Sequence, residues 1–187
     1  MGNFTFHPTA LEGVFVIDTK TFADSRGYFM ETYEALEFKA AGLSYEFVQE
    51  NWSTSSKGVL RGLHYQKRFP QAKLVRVIHG EVFDVAVDLR CGSKTYGKWI
   101  GEILSEENRR QLMIPRGFAH GFLVLSDKAE LAYKCDEFYH PEDEGGILWS
   151  DPQIGIQWPI CENVILSEKD KRLPMLAQSG VVFGTRD

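Results

Sequence analysis

Short apolar runs, each closed by a turn signal, succeed one another through the middle of the chain. They occupy residues 74–78, 81–89, 98–104, 110–114, 121–126 and 129–135. His79-Gly80, Cys91-Gly92-Ser93-Lys94, a polar turn at 105–108, Pro115-Arg116-Gly117 and Asp127-Lys128 separate them. Regularly spaced short runs with such punctuation predict strands of a sandwich or barrel. In 82–89, Phe83, Val85, Val87 and Leu89 share one face, and Val82, Asp84, Ala86 and Asp88 share the other. Two acids on the second face mean that it meets water or lines a polar cavity. Residues 34–43, EALEFKAAGL, predict a helix with Gly42 near its end, and LSEKDKRL predicts a second short one. A strand around 14–19 runs into DSRGYFMET (24–32), which pairs either with the main sheet or with a partner subunit; the pattern leaves both open.

Composition narrows the picture. The chain has 187 residues, 43% of them hydrophobic and 13% aromatic, which suits a single strand-rich domain over 1–187. A net charge of −5 argues against general nucleic-acid binding, while leaving room for arginines in a cleft to hold a small anion. Three cysteines, Cys91, Cys135 and Cys161, form no CxxC. An odd count without that motif fits a reducing cytoplasm. No signal-peptide pattern and no 18-residue apolar stretch is seen, so no membrane span is expected.

Four stretches carry candidate chemistry. In QENWSTSSKGVLRGLHYQ (49–66), Arg61-Gly62-Leu63-His64 reads as a strand in which Arg61 and Leu63 face one way and His64 the other. Gly62 allows a bulge or a close approach of ligand. Lys73 opens an otherwise apolar strand, His120 comes after the turn in IPRGFAHGF, and Tyr133 alternates with Leu131 and Cys135. Taken singly, each has a plainer reading as a strand histidine, a solvated lysine or a core aromatic. PRGFAH matches the PxGxxH half-motif of the cupin superfamily. The other half-motif, HxH followed by Glu, reads His64-Tyr65-Gln66 here. Only His64 and His120 remain of four ligands, whereas a catalytic metal site usually has three from the protein. No metal and no other cofactor is expected.

The markers DSRGYFMET, FVQENWS, GVLRGLHYQ, PQAKLVRVIHGEVFDVAVDLR, IPRGFAHGF, YKC and LSEKD occur in one order between about Gly13 and Asp170. In that order the sequence resembles the dTDP-4-dehydrorhamnose 3,5-epimerases. The resemblance implies a mainly β, cupin-type jelly roll that forms a homodimer by exchanging N-terminal strands. It implies His64 as catalytic base, Asp170 as its carboxylate partner and Tyr133 as proton donor on the opposite face of the sugar. It further implies Lys73 near the developing oxyanion with Asp84 as neighbour. Arg26, Glu31, Gln49, Asn51, Arg61, His120, Glu144 and Lys169 fall on substrate-binding positions, with Phe22 and Tyr139 toward the nucleotide. Arg26 and Glu31 then serve the partner's site. The segment between His64 and Lys73, YQKRFPQA, is short, so the loop there is expected to differ from longer relatives.

Such a set suits proton transfer beside a ketone. C3 and C5 of a 4-keto sugar both flank the carbonyl, so removing either proton places charge on the C4 oxygen. Histidine titrates near working pH, a carboxylate fixes its tautomer, and a cation at the oxygen stabilises the enolate. A C3-only epimerase shares these residues. A metal-dependent cupin and a non-catalytic sugar-binding cupin remain as readings of another class.

Overall fold

The computed structural model describes residues 2–159, 162–181 and 183–184; Cys161 lies outside them. In chain order the strands are β1 (Phe4–Pro8), β2 (Phe15–Thr19), β3 (Thr21–Asp24), β4 (Gly27–Met30), β5 (Gln49–Ser56), β6 (Leu60–Gln66) and β7 (Lys73–His79). They continue as β8 (Glu81–Asp88), β9 (Trp99–Ser105), β10 (Gln111–Ile114), β11 (Phe118–Val124), β12 (Lys128–Cys135) and β13 (Glu144–Gly146). Two short helices, α1 (Ala35–Ala40) and α2 (Leu176–Ser179), join them.

Two antiparallel sheets face each other, as in a jelly roll. One runs β1-β2-β10-β7-β12-β5 and the other β13-β6-β11-β8-β9. Between them lies an aliphatic core that includes Val75, Val77, Val82, Ala86, Leu112, Phe122 and Leu131. A second cluster covers the outer face of the five-stranded sheet: Leu63, Val85, Val87 and Leu123 pack against Ile147, Ile154, Trp158, Leu176 and Phe183 of the C-terminal segment. A third, rich in aromatics, seats α1 on the outer face of the six-stranded sheet through Phe38, which is fully buried.

The N-terminal strand joins its own chain's sheet: β2 pairs with β10 and with β1. The next two strands do not join either large sheet. β3 and β4 pair only with each other, as a separate two-stranded ribbon. α1 is shorter than residues 34–43 because Glu34 is its N-cap, accepting from Glu37 N at 2.7 Å. At its other end the N–H groups of Gly42 and Leu43 return to the carbonyls of Lys39 and Phe38. That is a Schellman closure, with Gly42 at φ 84°.

One expectation needs correction. LSEKDKRL forms only a single 3-10 turn, Asp170–Arg172. Pro174 holds Leu173 in extended backbone, φ −62° and ψ 141°, and stops further helix. Of the two alternatives for the Asp84/Asp88 face of β8, contact with water is the one that fails, and Asp84 bonds His120 of the polar cavity. Both carboxylates are fully buried because β8 lies inside a sheet covered on both sides. Asp88 is held by Arg90, Ser93 and Thr95; Asp84 faces the interior.

Candidate active site

A cavity of about 450 Å³ opens between the sheets, lined by Arg61, His64, Lys73, His120, Tyr133, Lys169 and Asp170 together with less polar neighbours. That size suits a small organic ligand. His64 stands on β6 and His120 on β11, adjacent strands of the five-stranded sheet, where they are directly opposite each other. Lys73 on β7 and Tyr133 on β12 come from the facing sheet. The cavity therefore has an imidazole on one wall and an ammonium and a phenol on the other.

The alternation expected for β6 fails. Arg61 and His64 both line the cavity, whereas Leu63 is wholly buried in the outer cluster. The reason is an irregularity in the β6–β11 register between His120 and Phe122. Gly62, at φ 126°, stands at this bulge and permits the close approach of another strand. A β-carbon there would lie 2.6 Å from Gly121 Cα.

Asp170 Oδ1 lies 2.6 Å from His64 Nε2, so the C-terminal segment does fold back onto β6. The Ser167 hydroxyl accepts from the Asp170 N–H at 3.0 Å and fixes the turn. Burial alone would raise the Asp170 pKa, but the bond and charge of His64 outweigh it and hold the carboxyl below its ordinary value. An ionised carboxylate only accepts. In the neutral imidazole the proton therefore sits on Nε2, and Nδ1 keeps the free lone pair.

Asp84 lies near enough to Lys73 to act on its charge, while its hydrogen bonds go elsewhere. Its two oxygens lie 2.9 and 3.0 Å from His120 Nε2, since β8 and β11 are hydrogen-bonded neighbours with Asp84 opposite Phe122. Each cavity histidine thus has its own aspartate, and among the described residues no three His, Cys, Asp or Glu side chains gather as a metal site would need. Burial lowers the Lys73 pKa, opposed by Cys135, Asp84 and Glu144. Burial raises that of Tyr133, as does Cys135, while Arg61 opposes. Cys135, opposite Lys73 across β7 and β12, is pushed up to about 11, chiefly by burial.

The remaining expected residues divide. Gln49 and Asn51 stand on β5 beside β12. Gln49 Nε2 donates to Asn51 Oδ1 at 3.0 Å, and Asn51 Nδ2 reaches Cys135 Sγ at 3.7 Å. Glu144 joins Tyr139, whose hydroxyl donates to it at 2.6 Å, and Lys169 in an ion pair. That bond to Glu144 pushes the Tyr139 phenol up to about 12. Arg61 Nε donates to Ser55 at 3.1 Å. Gln49, Asn51, Glu144 and Tyr139 lie outside the lining of this cavity, and Arg26, Glu31 and Phe22 are not brought to it either. Arg26 sits on the β3–β4 ribbon, exposed and bound to Asp24, Phe22 is exposed on β3, and Glu31 accepts from Asn3 at 3.0 Å. Lining residues not anticipated include Ser53 and Ser167. Ser53 shares a strand face with Asn51 two residues away, a period-two signal present in the sequence.

The model of the dTDP-4-dehydrorhamnose 3,5-epimerase family matches residues 8–178. The dTDP-4-dehydrorhamnose 3,5-epimerase of Methanothermobacter thermautotrophicus is 54% identical, over 97% of this chain and 99% of its own. A Legionella pneumophila 3,5-epimerase solved in complex with dTDP-4-keto-L-rhamnose superposes with a TM-score of 0.92 at 50% identity, covering 94% of both chains. A 3'-monoepimerase from Streptomyces bikiniensis, in complex with dTDP-quinovose, gives 0.88 at 32% identity, covering 95% of this chain and 92% of that one. With its jelly roll, its two-walled cavity and these similarities along almost its whole length, the chain belongs to the dTDP-4-dehydrorhamnose 3,5-epimerase family.

Proposed function

We propose that the protein inverts C3 and C5 of dTDP-4-dehydro-6-deoxy-D-glucose to give dTDP-4-dehydro-L-rhamnose, a step toward dTDP-L-rhamnose. The observation that carries this reading is the His64–Asp170 pair on one wall of the cavity with Tyr133 and Lys73 on the other.

His64 Nδ1 takes the proton from the carbon beside the ketone. The C–H electron pair moves into the ring and the carbonyl electrons move to the C4 oxygen. Asp170 stabilises the resulting imidazolium, and the Lys73 ammonium stabilises the enolate. Tyr133 then gives its proton to the same carbon from the opposite face, the carbonyl re-forms and the centre is inverted. Phenolate and imidazolium return to their starting states by proton exchange with water, so the turnover is redox-neutral. His120, ordered by Asp84, Arg61, Lys169, Glu144, Gln49, Asn51 and Tyr139 bind the nucleotide sugar; guanidinium suits the diphosphate.

The working unit is a homodimer. Its support is the β3–β4 ribbon, which leaves Phe22, Tyr28 and Phe29 exposed and holds Arg26 outside the cavity of its own chain. In the dimer this arm lends Arg26, Glu31 and Phe22 to the partner subunit's cavity. A cytoplasmic site of action belongs to the same reading and is supported by the free thiols Cys91 and Cys135; no helix among the described residues is long and apolar enough to cross a membrane.

Incubation with dTDP-4-dehydro-6-deoxy-D-glucose in D₂O tests the reaction, read by NMR of the sugar. Deuterium at both C3 and C5 of an inverted product is expected. Label confined to C3 replaces the double inversion by a single one, and no label overturns the assignment.

A further inference from the structure

The chain leaves the six-stranded sheet at Thr19 and is next fixed to it at Thr32, and between them runs the β3–β4 arm. A two-stranded ribbon by itself is marginal in water, and the aromatics of this one are exposed. Its direction must be set from outside. Two side chains, close in sequence and in structure, do so. Gln111, on β10 and almost fully buried, donates from Nε2 to Thr19 Oγ1 at 3.1 Å and to the Thr32 carbonyl at 3.0 Å. One amide thus ties together both ends of the arm.

Arg109 stands two residues earlier. Its guanidinium carbon lies 4.3 Å from the centroid of the Tyr28 ring on β4. Its backbone is left-handed, φ 54°, an unusual conformation for a residue other than glycine. The turn is closed by Arg109 N–H donating to the Ser105 carbonyl at 2.9 Å, and Asn108 bonds Ser105 in both directions. Arg109 Nε is buried without a hydrogen-bond partner among the described residues. A buried donor is normally paired, and the tyrosine face is the contact seen for this guanidinium among the described residues. The turn and its left-handed residue place one cation against one ring of the arm.

We infer that Arg109 is a positioning residue for catalysis in trans. With Gln111 gripping the root, it braces Tyr28 and sets the angle at which the arm carries Arg26 into the partner subunit's cavity. This role rests on the exchanged arm proposed above, and Arg109 itself touches no substrate.

A double-mutant cycle on the full-length protein tests it. Arg26→Ala, Arg109→Ala and the double variant are compared in KM for dTDP-4-dehydro-6-deoxy-D-glucose, with the dimer checked by light scattering. Loss of one exposed cation–π contact corresponds to roughly a two- to fivefold rise in KM for Arg109→Ala. Arg109→Lys, which keeps a cation, restores most of it. On the Arg26→Ala background Arg109→Ala adds no further rise, because the arm then has nothing to deliver. Tyr28→Leu removes the same contact from the other side and reproduces the pattern if Arg109→Ala proves insoluble. An equal rise on both backgrounds, or none on the background retaining Arg26, overturns the positioning role while leaving the exchanged arm standing. If Arg26→Ala leaves KM unchanged, the exchanged arm itself is wrong and the role of Arg109 falls with it.

Discussion

Asp170 and His64 are 106 positions apart in sequence and 2.6 Å apart in space. The aspartate is nearly buried, whereas 28% of the imidazole surface remains open to the cavity. One ring nitrogen is thereby committed to the protein and the other is offered to a ligand. Replacing Asp170 by Asn supplies an amide that can donate to Nε2 and so stabilise the wrong tautomer. We expect kcat to fall by about 10³–10⁴ with little change in dTDP affinity measured calorimetrically. A fall of less than tenfold contradicts the orienting role. His64→Asn should likewise remove turnover and keep nucleotide binding.

In the proposed mechanism Tyr133 distinguishes proton abstraction from completed inversion. Its raised pKa, from burial first and Cys135 second, keeps the phenol protonated across the neutral range. Tyr133→Phe retains the base and loses the opposite-face acid. The variant should wash deuterium into the substrate with the original configuration while forming product at least about 10²-fold more slowly. NMR of substrate and product in one D₂O incubation reads both, and full inversion by this variant removes Tyr133 from the mechanism.

In the proposed mechanism Lys73 sets the alkaline side. The oxyanion requires an ammonium, and burial shifts the Lys73 pKa downward from 10.5 despite nearby Cys135, Asp84 and Glu144. Activity should therefore decline with rising pH before an ordinary lysine would titrate. Lys73→Met should abolish that limb and lower kcat by about 10²–10³. A kcat/KM profile from neutral pH upward checks both, and an unchanged alkaline limb in the variant would assign it to another group.

Gly62 couples stability to the site. A methyl group there would stand 2.6 Å from Gly121 Cα and 2.8 Å from the His120 carbonyl, both backbone, at a φ of 126°. Gly62→Ala should cost about 2–4 kcal/mol and displace the neighbouring His64. Stability against urea and kcat should fall together.

Asp88 predicts an acid effect remote from catalysis. Burial would raise its pKa, but bonds from Arg90, Ser93 and Thr95 bring it down from 3.8 to about 2. A depressed carboxylate stabilises the fold above its unfolded pKa, and that contribution fades as pH falls from about 4 toward 2. Its size is about 2 kcal/mol. Asp88→Asn should lower stability at neutral pH, and the gap from the parent should narrow below about pH 4. Urea titrations across that range measure it.

The strands between 60 and 135 were legible because Gly, Pro and polar turns cut the apolar runs to length. For β7 to β12 the ends fall within about three residues of the runs read from pattern. Alternation misplaced Arg61, because the irregularity opposite His120 and Phe122 is a property of two strands and neither sequence alone carries it. That Asp84 also bonds His120 was not legible for a similar reason: β8 and β11 lie side by side, so His120 is nearer in space than the order of the chain suggests. The burial of β8 on both faces depends on the C-terminal segment, whose irregular backbone has no periodicity to read. The Gln111 and Arg109 contacts with the arm have no motif at all.

All thirteen strands among the described residues have been made once Gly146 is joined to the growing chain. Asp170 has not yet been synthesised, nor have Ile154, Trp158, Leu176 and Phe183, which cover the outside of the five-stranded sheet. A nascent chain holding the complete sandwich still has a greasy flank and an unoriented imidazole. The cover of the sheet and the orientation of the imidazole therefore come from the same last stretch of chain, and a product truncated before it lacks both.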